Sequence, residues 1–554
     1  MEMISKRILA ASFLALVVAL ATPGDGACRS TAAPNDSTYA QLESLFADWR
    51  RFQIPPRVDE VFDYLPSAMA RQHRQLKEYF SRLSRIDTTG WTISQRIDYH
   101  LVLAEMYGLD FDHRVRKPWA RDPAFYVMVF PSQTDVVPRE GPVIPNAIEL
   151  WQYSQPFTAE AIEELADRLL KIPIQLDVAT RALTGNARDL WLAGTARMEQ
   201  QLDHLTRFAD EIGDSSLRLA SAVSEAIIGT RFFVRWLKEQ SVRKTGPSGI
   251  GAANYTWYLQ KVHLVPHSWQ EQVTLMDREL ARSHAALRLE EHRNRHLSPL
   301  EPISSEEEYD QRMRDAVDSY IEFLDEQAIL TVEDYMRDAL MARIGTFSPS
   351  DGPRSFFSEV NYREPLIMRT HHHHWIDIAR MSESPHPSPI RSTPLLSNIF
   401  DSRAEGLATG MEEMMMHAGL FDDEPRTREL VWIMLAQRAA RALAALRMHA
   451  NEYTMQEAMD FASRWTPRGW LPADGSLVRR EQHLYLQQPG YGTSYVVGKL
   501  DIEHLLADYA REKGSEFQLR NFMDELSAAG VIPVSLIRWE VTGQDDEIRM
   551  MHGK

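Results

Sequence analysis

Thr370-His371-His372-His373-His374-Trp375-Ile376-Asp377 opens the stretch of this chain that is richest in metal-ligating and proton-transfer groups. A proline-punctuated segment follows, Ser384-Pro385-His386-Pro387-Ser388-Pro389, and then Glu405-Gly406-Leu407-Ala408 with the acidic pair Glu412 and Glu413. As local structure this reads helix, breaker, helix. The first helix is expected over His371–Arg380. The second is expected from near Ser397 to His417, stopping at Gly419, a residue suited to a left-handed C-terminal cap.

Helical periodicity extends outward in both directions. Leu42, Leu45, Phe46 and Trp49 recur at helical spacing, as do Leu76, Tyr79, Phe80 and Leu83, and Met198, Leu202, Leu205 and Phe208. Ile162, Leu165, Leu169 and Ile172 predict a helix that stops before Pro173, and Gln270 to Ala342 reads as further helix. The segment Phe125–Phe130 is short, aromatic and β-branched, and predicts a strand or a buried extended piece. Lys244 to Gly251 reads as a glycine-containing turn. Ser348-Pro349-Ser350-Asp351-Gly352-Pro353 is a breaker that divides a helical N-terminal part, 39–347, from a C-terminal part, 354–554. The expected fold is all-α with minor β content, one large domain in which both parts surround a central cleft.

The N-terminus reads as an export signal over residues 1–27, with Lys6 and Arg7 before an apolar run from Ile8 to Ala21 and small residues at Gly26-Ala27. The run is shorter than a membrane span. Residues 28–38 are expected to form a flexible leader. Cys28 directly after Ala27 suits lipidation, although Asp25 stands where a lipobox carries an aliphatic residue. The expected location is periplasmic or extracellular, with lipid anchoring through Cys28 as one form. Cys28 is the only cysteine, which excludes an intrachain disulfide and a cysteine-based metal site. With 44% hydrophobic and 25% charged residues the composition is that of a globular protein. The net charge of −17 argues against nucleic-acid binding and against adhesion to an anionic membrane.

A catalytic zinc site needs about three nitrogen or oxygen ligands and an open position. Residues three or four apart share a helix face. His373 with Asp377, or His374 with Asp377, therefore qualifies as a ligand pair, and His371 and His372 join the candidates. Glu405 is placed to add a ligand from the second helix, with Glu412 two turns further along the same face. Four adjacent histidines cannot all converge on one point, and such a run also serves simply to hydrogen-bond carbonyls. The run Met414-Met415-Met416 reads as core packing. Glu290, Glu291 and Glu306 to Glu308 read as solvated faces or first-turn charges.

Several motifs carry a family resemblance. Glu405-Gly406-Leu407-Ala408-Thr409-Gly410-Met411-Glu412 resembles E-G-W-A-L-Y-x-E. Tyr485-Leu486-Gln487-Gln488-Pro489-Gly490, then Tyr495 and Gly498-Lys499, resembles Y-x-x-x-P-G and Y-x-x-G-K. Arg441 and His449 match the ends of an arginine-rich helix. Phe517, Phe522, Asp524, Gly530 and Pro533 match the closing helices. Together these resemble the domain-of-unknown-function 885 family of helical, metallopeptidase-like bacterial proteins. That family's H-E-x-x-P-G-H motif is absent here, and Ala445, Arg447 and Met523 also depart from its pattern. The resemblance implies Glu405 as the third metal ligand and leaves the usual glutamate base missing.

The expected function is an exported metal-dependent hydrolase acting on peptides or small molecules in a cleft, with Zn2+ or another divalent metal. The candidate metal ligands are His371, His372, His373, His374, Asp377 and Glu405. Asp377 and Glu412 are candidates for moving protons, and Arg441, His449 and Tyr495 for contacting substrate or the oxyanion. The alternative is a catalytically silent relative that keeps the cleft to bind a peptide or cell-envelope ligand. A histidine-rich metal buffer is a third possibility that needs far less chain.

Overall fold

The computed structural model describes residues 34–133, 147–213, 216–350 and 352–553. The export signal and the start of the leader lie outside these residues. The fold is all-α, with two two-residue β ladders among the described residues: Arg57–Val58 with Val61–Phe62, antiparallel, and Val129–Phe130 with Ile148–Glu149, parallel. One continuous apolar core runs from Leu42 in the first helix to Met551 in the last. A small second cluster of Ile303, Tyr309, Met313 and Tyr362 lies under the segment before the histidines. Among the described residues no helix is long and apolar enough to cross a membrane.

At the centre runs the Thr427–His449 helix, buried on nearly every face. A helix with no solvated stripe must be surrounded by other elements. Trp269–Arg293 packs along it, with Tyr491–Lys513 and Met455–Trp465 beside it. The Lys244–Gly251 turn closes onto its C-terminal end, where the Gly251 amide donates to the His449 carbonyl at 2.7 Å. Several flanking helices start on side-chain caps: Thr92, Ser268 and Thr454 each form a reciprocal box with Gln95, Glu271 and Glu457.

The tightest helix crossing joins Asp401–Ala418 to Tyr491–Lys513, and two glycines make it. A Cβ on Gly498 would lie 1.8 Å from the Ser402 carbonyl oxygen, and a Cβ on Gly406 would lie 2.4 Å from the Gly498 carbonyl carbon. Both backbones occupy the space a side chain would take. Gly406 and Gly498 come from the two best-matching sequence motifs, so that resemblance has a packing basis.

Five local expectations are corrected. The helix expected to stop before Pro173 runs on from Ala159 to Ala182 with Pro173 inside it. Its ring is received by Gly229 of the Leu217–Ser241 helix, where a Cβ would lie 2.7 Å from the Pro173 Cβ. Phe125–Phe130 divides into a 3-10 turn, Pro123–Tyr126, and the short strand Val129–Phe130. The first helix begins at Pro34 and takes in residues 34–38, assigned above to the leader. The His371–Arg380 helix is broken: one helix ends at His371, and a second, His373–Glu383, starts after His372 at φ −69°, ψ 9°. The second predicted helix begins at Asp401 rather than near Ser397, where φ is 56°, and it ends on Gly419 at φ 100°, as its sequence requires.

A cleft of about 640 Å³ opens between the two halves of the chain. Tyr64, Trp119, Phe125 and Trp151 line it from the N-terminal half, and Leu396, Gln487 and Tyr491 from the C-terminal half.

Two predictions follow from this packing. Gly498→Ala should destabilise the fold by about 3 kcal/mol or more, because its new methyl meets backbone that cannot rotate away. Gly410→Ala on the same helix meets only the Met414 Cε at 3.6 Å and the Lys499 Cγ at 3.8 Å. It should stay within about 1 kcal/mol of the parent, and urea unfolding of the two variants checks the contrast. The second concerns pH. Burial pushes His113, His373 and His449 down to about 4, and His263 and His483 down to about 3. A histidine depressed in the folded state gains a proton first in the unfolded chain. Its contribution is complete above about 6.5 and is lost as pH falls toward its folded value. Asp122 and Glu412, both raised to about 6 by burial, oppose this over part of the range. Burial also raises Glu105, Glu364, Glu481 and Glu547 and lowers His204, His372 and His386. The depressed histidines start near 6.5, inside the window, and dominate there, so the melting temperature should fall from pH 7 to pH 5. A flat profile would contradict the buried neutral imidazoles.

Candidate metal centre

The glycine crossing sets Glu405 at the N-terminal end of the Tyr491–Lys513 helix. Gly490, at φ 97°, turns the chain into that helix, and the Tyr491 hydroxyl donates to Glu405 Oε1 at 2.5 Å. Opposite stand the two short helices that meet at His372. Their junction brings His371, from the end of one, and His374, from the first turn of the other, to a ring separation of 5.0 Å. His371, His374 and Glu405 each present one ligand atom, and these atoms lie within 4.8 Å of one another. All three side chains are buried. Two imidazoles and a carboxylate can hold a divalent metal with a position left open.

His374 gives the clearest local signal. It is 2% exposed, and neither ring nitrogen has a hydrogen-bond partner among the described residues. A buried imidazole with both nitrogens unsatisfied is costly. A ligand bond to a cation satisfies one of them.

His371 is held from behind. Its Nδ1 lies 3.0 Å from Glu412 Oε1 and 3.1 Å from Arg438 Nη2. Arg438 donates both terminal nitrogens to Glu412, each at 2.7 Å. With the two terminal nitrogens of the guanidinium so engaged, Nδ1–H donating to Glu412 leaves the His371 lone pair on Nε2. Such a carboxylate behind a ligand histidine fixes its tautomer and ring orientation. Burial raises the Glu412 carboxyl to about 6, against the opposing pull of Arg438.

Arg441, one turn beyond Arg438, pairs with Glu481 and faces the rings of Tyr495 and Tyr485 at 5.3 and 5.6 Å. Burial raises the Glu481 carboxyl, with Arg441 opposing. Tyr495 also packs edge-on to Tyr491 at 5.8 Å. Arg441 and Tyr495 thus join the surroundings of the cluster.

The other candidates are placed elsewhere. Asp377 is clamped by Arg403 through contacts of 2.9 and 3.2 Å. Burial works to raise its carboxyl, but Arg403 holds it below the usual range. His373 points to the Tyr320 hydroxyl, 3.4 Å from its Nδ1. His372 sits at the helix break, outside the three-residue group. His449 lies three turns beyond Arg438, its Nε2 2.9 Å from the Tyr485 carbonyl oxygen and its ring against Tyr255.

Sequence reading passed over Tyr491, Arg438 and Glu481. Tyr491 follows directly on Pro489-Gly490 and could have been found there. Arg438 precedes Arg441 by three residues and Glu481 precedes Tyr485 by four, which places each on the same helix face as a motif residue. Neither spacing by itself signals a ligand site.

Comparison with known proteins adds the fold and a family model. No curated protein sequence matches the chain. Solved structures that share its fold include two each described as a "putative lipoprotein". One is described as a "putative lipoprotein of unknown function from Shewanella oneidensis": TM-score 0.67, 16% identity, 92% of this chain and 100% of that one covered. The other is a "putative lipoprotein from Colwellia psychrerythraea": TM-score 0.62, 14% identity, 94% and 98% covered. Residues 372–541, which carry His374, Glu405, Arg438 and Tyr491, match the family model described as "Bacterial protein of unknown function (DUF885)".

Proposed function

We propose that the protein is a metal-dependent hydrolase of peptide-like substrates, with His371, His374 and Glu405 as the metal-holding residues. The observation that carries this is the unsatisfied, buried His374 set beside a second histidine and a carboxylate. Zinc suits two imidazoles and a carboxylate, and when bound it supplies Lewis acidity and a water whose pKa falls to about 7.

The chain's own residues have separable tasks. Glu412 and Arg438 orient His371. Tyr491 holds Glu405 through its hydroxyl and also lines the large cleft, so it connects the cluster to the space where a substrate fits. The cleft volume of about 640 Å³ suits a ligand of several residues. Its aromatic walls, Tyr64, Trp119, Phe125 and Trp151, offer apolar area for side chains. Arg441, beside Tyr485 and Tyr495, supplies positive charge near the cluster where an oxyanion would develop. The expected export, with Cys28 after Ala27, accords with two structural neighbours each described as a "putative lipoprotein".

A second reading is favoured by one specific observation. Asp377 and Glu412, the carboxylates that sequence offered for proton movement, are each held bidentate by an arginine, Arg403 and Arg438. Both carboxylates have their oxygens committed to guanidinium donors, and Arg403 also holds Asp377 below the usual carboxylate range, so neither is free to take up a proton. A protein that keeps metal and cleft but binds its peptide without cleaving it would look the same.

Metal content tests the shared metal centre, and turnover separates the two readings. The purified protein without an affinity tag, dialysed against a weak chelator, should retain one divalent ion per chain, and Glu405→Ala should lose it. Peptide-library turnover should fall more than about 100-fold in the same variant. Full activity in Glu405→Ala would remove the hydrolase model. A retained ion without turnover would select the binding protein. Glu412→Gln keeps the shape but loses the charge behind His371, and should weaken metal affinity by about 10- to 100-fold.

A further inference from the structure

Arg369 lies two residues before His371, in the Pro365–His371 helix, and is 0% exposed. Among the described residues its one hydrogen bond runs from Nη2 to Asn361 Oδ1 at 3.1 Å, and Nε and Nη1 are buried without a partner. The other fully buried arginines differ: Arg403 pairs with Asp377, Arg438 with Glu412, and Arg441 with Glu481. Acids on the neighbouring elements are committed elsewhere. Glu359 bonds Arg363 and the Arg354 amide; Glu364 bonds the Leu366 amide and faces Arg312; Glu308 bonds the Ser304 amide. The nearby Tyr309 hydroxyl donates to the Ile344 carbonyl and supplies no charge.

An isolated guanidinium removed from water costs several kcal/mol unless an anion accompanies it. Neutral acceptors such as Asn361 satisfy hydrogens but leave the charge. Arginine also stays protonated under all ordinary conditions, so it cannot escape by neutralisation. Among the described residues Arg369 is thus a fixed buried cation with two unpartnered donors and no counter-charge.

We infer that Arg369 forms, with Asn361, an internal binding site for a small monovalent anion of the halide class. One guanidinium balances one negative charge; a sulfate or phosphate would leave an excess charge at a position wholly removed from water beside Tyr309. The site is separate from the proposed metal ligands, and it bears on them by position. Whatever fixes Arg369 fixes the last turn of the helix that presents His371.

Thermal unfolding in sodium chloride against sodium isethionate, at matched ionic strength, tests the site. The parent protein should gain about 2–4 °C, saturating with chloride. Arg369→Met, which keeps the length and removes the charge, should show no difference between the salts. Equal gains in both proteins, or no chloride-specific gain in the parent, would overturn the inference. If Arg369→Met does not fold, crystals of the parent grown in bromide decide the matter. An anomalous peak within hydrogen-bond distance of the Arg369 guanidinium supports the site, and none there refutes it.

Discussion

The contact on which the rest depends is the crossing of two helices at Gly406 and Gly498. At this point backbone meets backbone, with the Ser402 carbonyl where a Gly498 side chain would be. Close approach fixes the rotation of each helix as well as their separation. Glu405, one residue before Gly406, and Tyr491, seven before Gly498, are therefore aimed at each other with little freedom. The same rotation sets Glu412 two turns along, against Arg438 and His371. Helix packing of this kind positions a polar cluster more firmly than loops do.

Burial of charge is the second constraint. The centre of the molecule holds Arg403, Arg438 and Arg441, each against a carboxylate. Removing one member of such a pair costs far more than the pair contributes, because the survivor is left buried and uncompensated. The pairs therefore act as registers that allow one arrangement of the helices. Among the described residues two groups near the centre stand outside this pattern: the His374 imidazole, with neither nitrogen hydrogen-bonded, and the Arg369 guanidinium, with no carboxylate against it. They lie five residues apart, on either side of the helix break at His372, and the sequence between them is the histidine run.

The all-α class was legible because helical periodicity is local: Leu42 to Trp49 and Leu76 to Leu83 declare their helices without reference to anything distant. The stop at Gly419 was legible for the same reason. Pro173 was misread because its helix continues only through a partner, Gly229, that lies 56 residues away. The break at His372 was equally invisible, since four histidines carry no local signal for where a helix should end. Among the site residues, Glu405 could be picked out by its motif, while Arg438 and Glu481 became visible only once their helices were packed.

By itself the sequence determined the helical class, the apolar faces and the inventory of ligands, because these depend on residue type and short-range spacing. Tertiary structure alone decided which ligands converge. It turned Asp377 into the partner of Arg403 and His373 toward Tyr320, and brought His371 and His374 to Glu405. The physical reason is that a metal-sized gap between side chains from separate helices is set by the angle and rotation at which those helices cross. No spacing along one chain segment encodes that geometry.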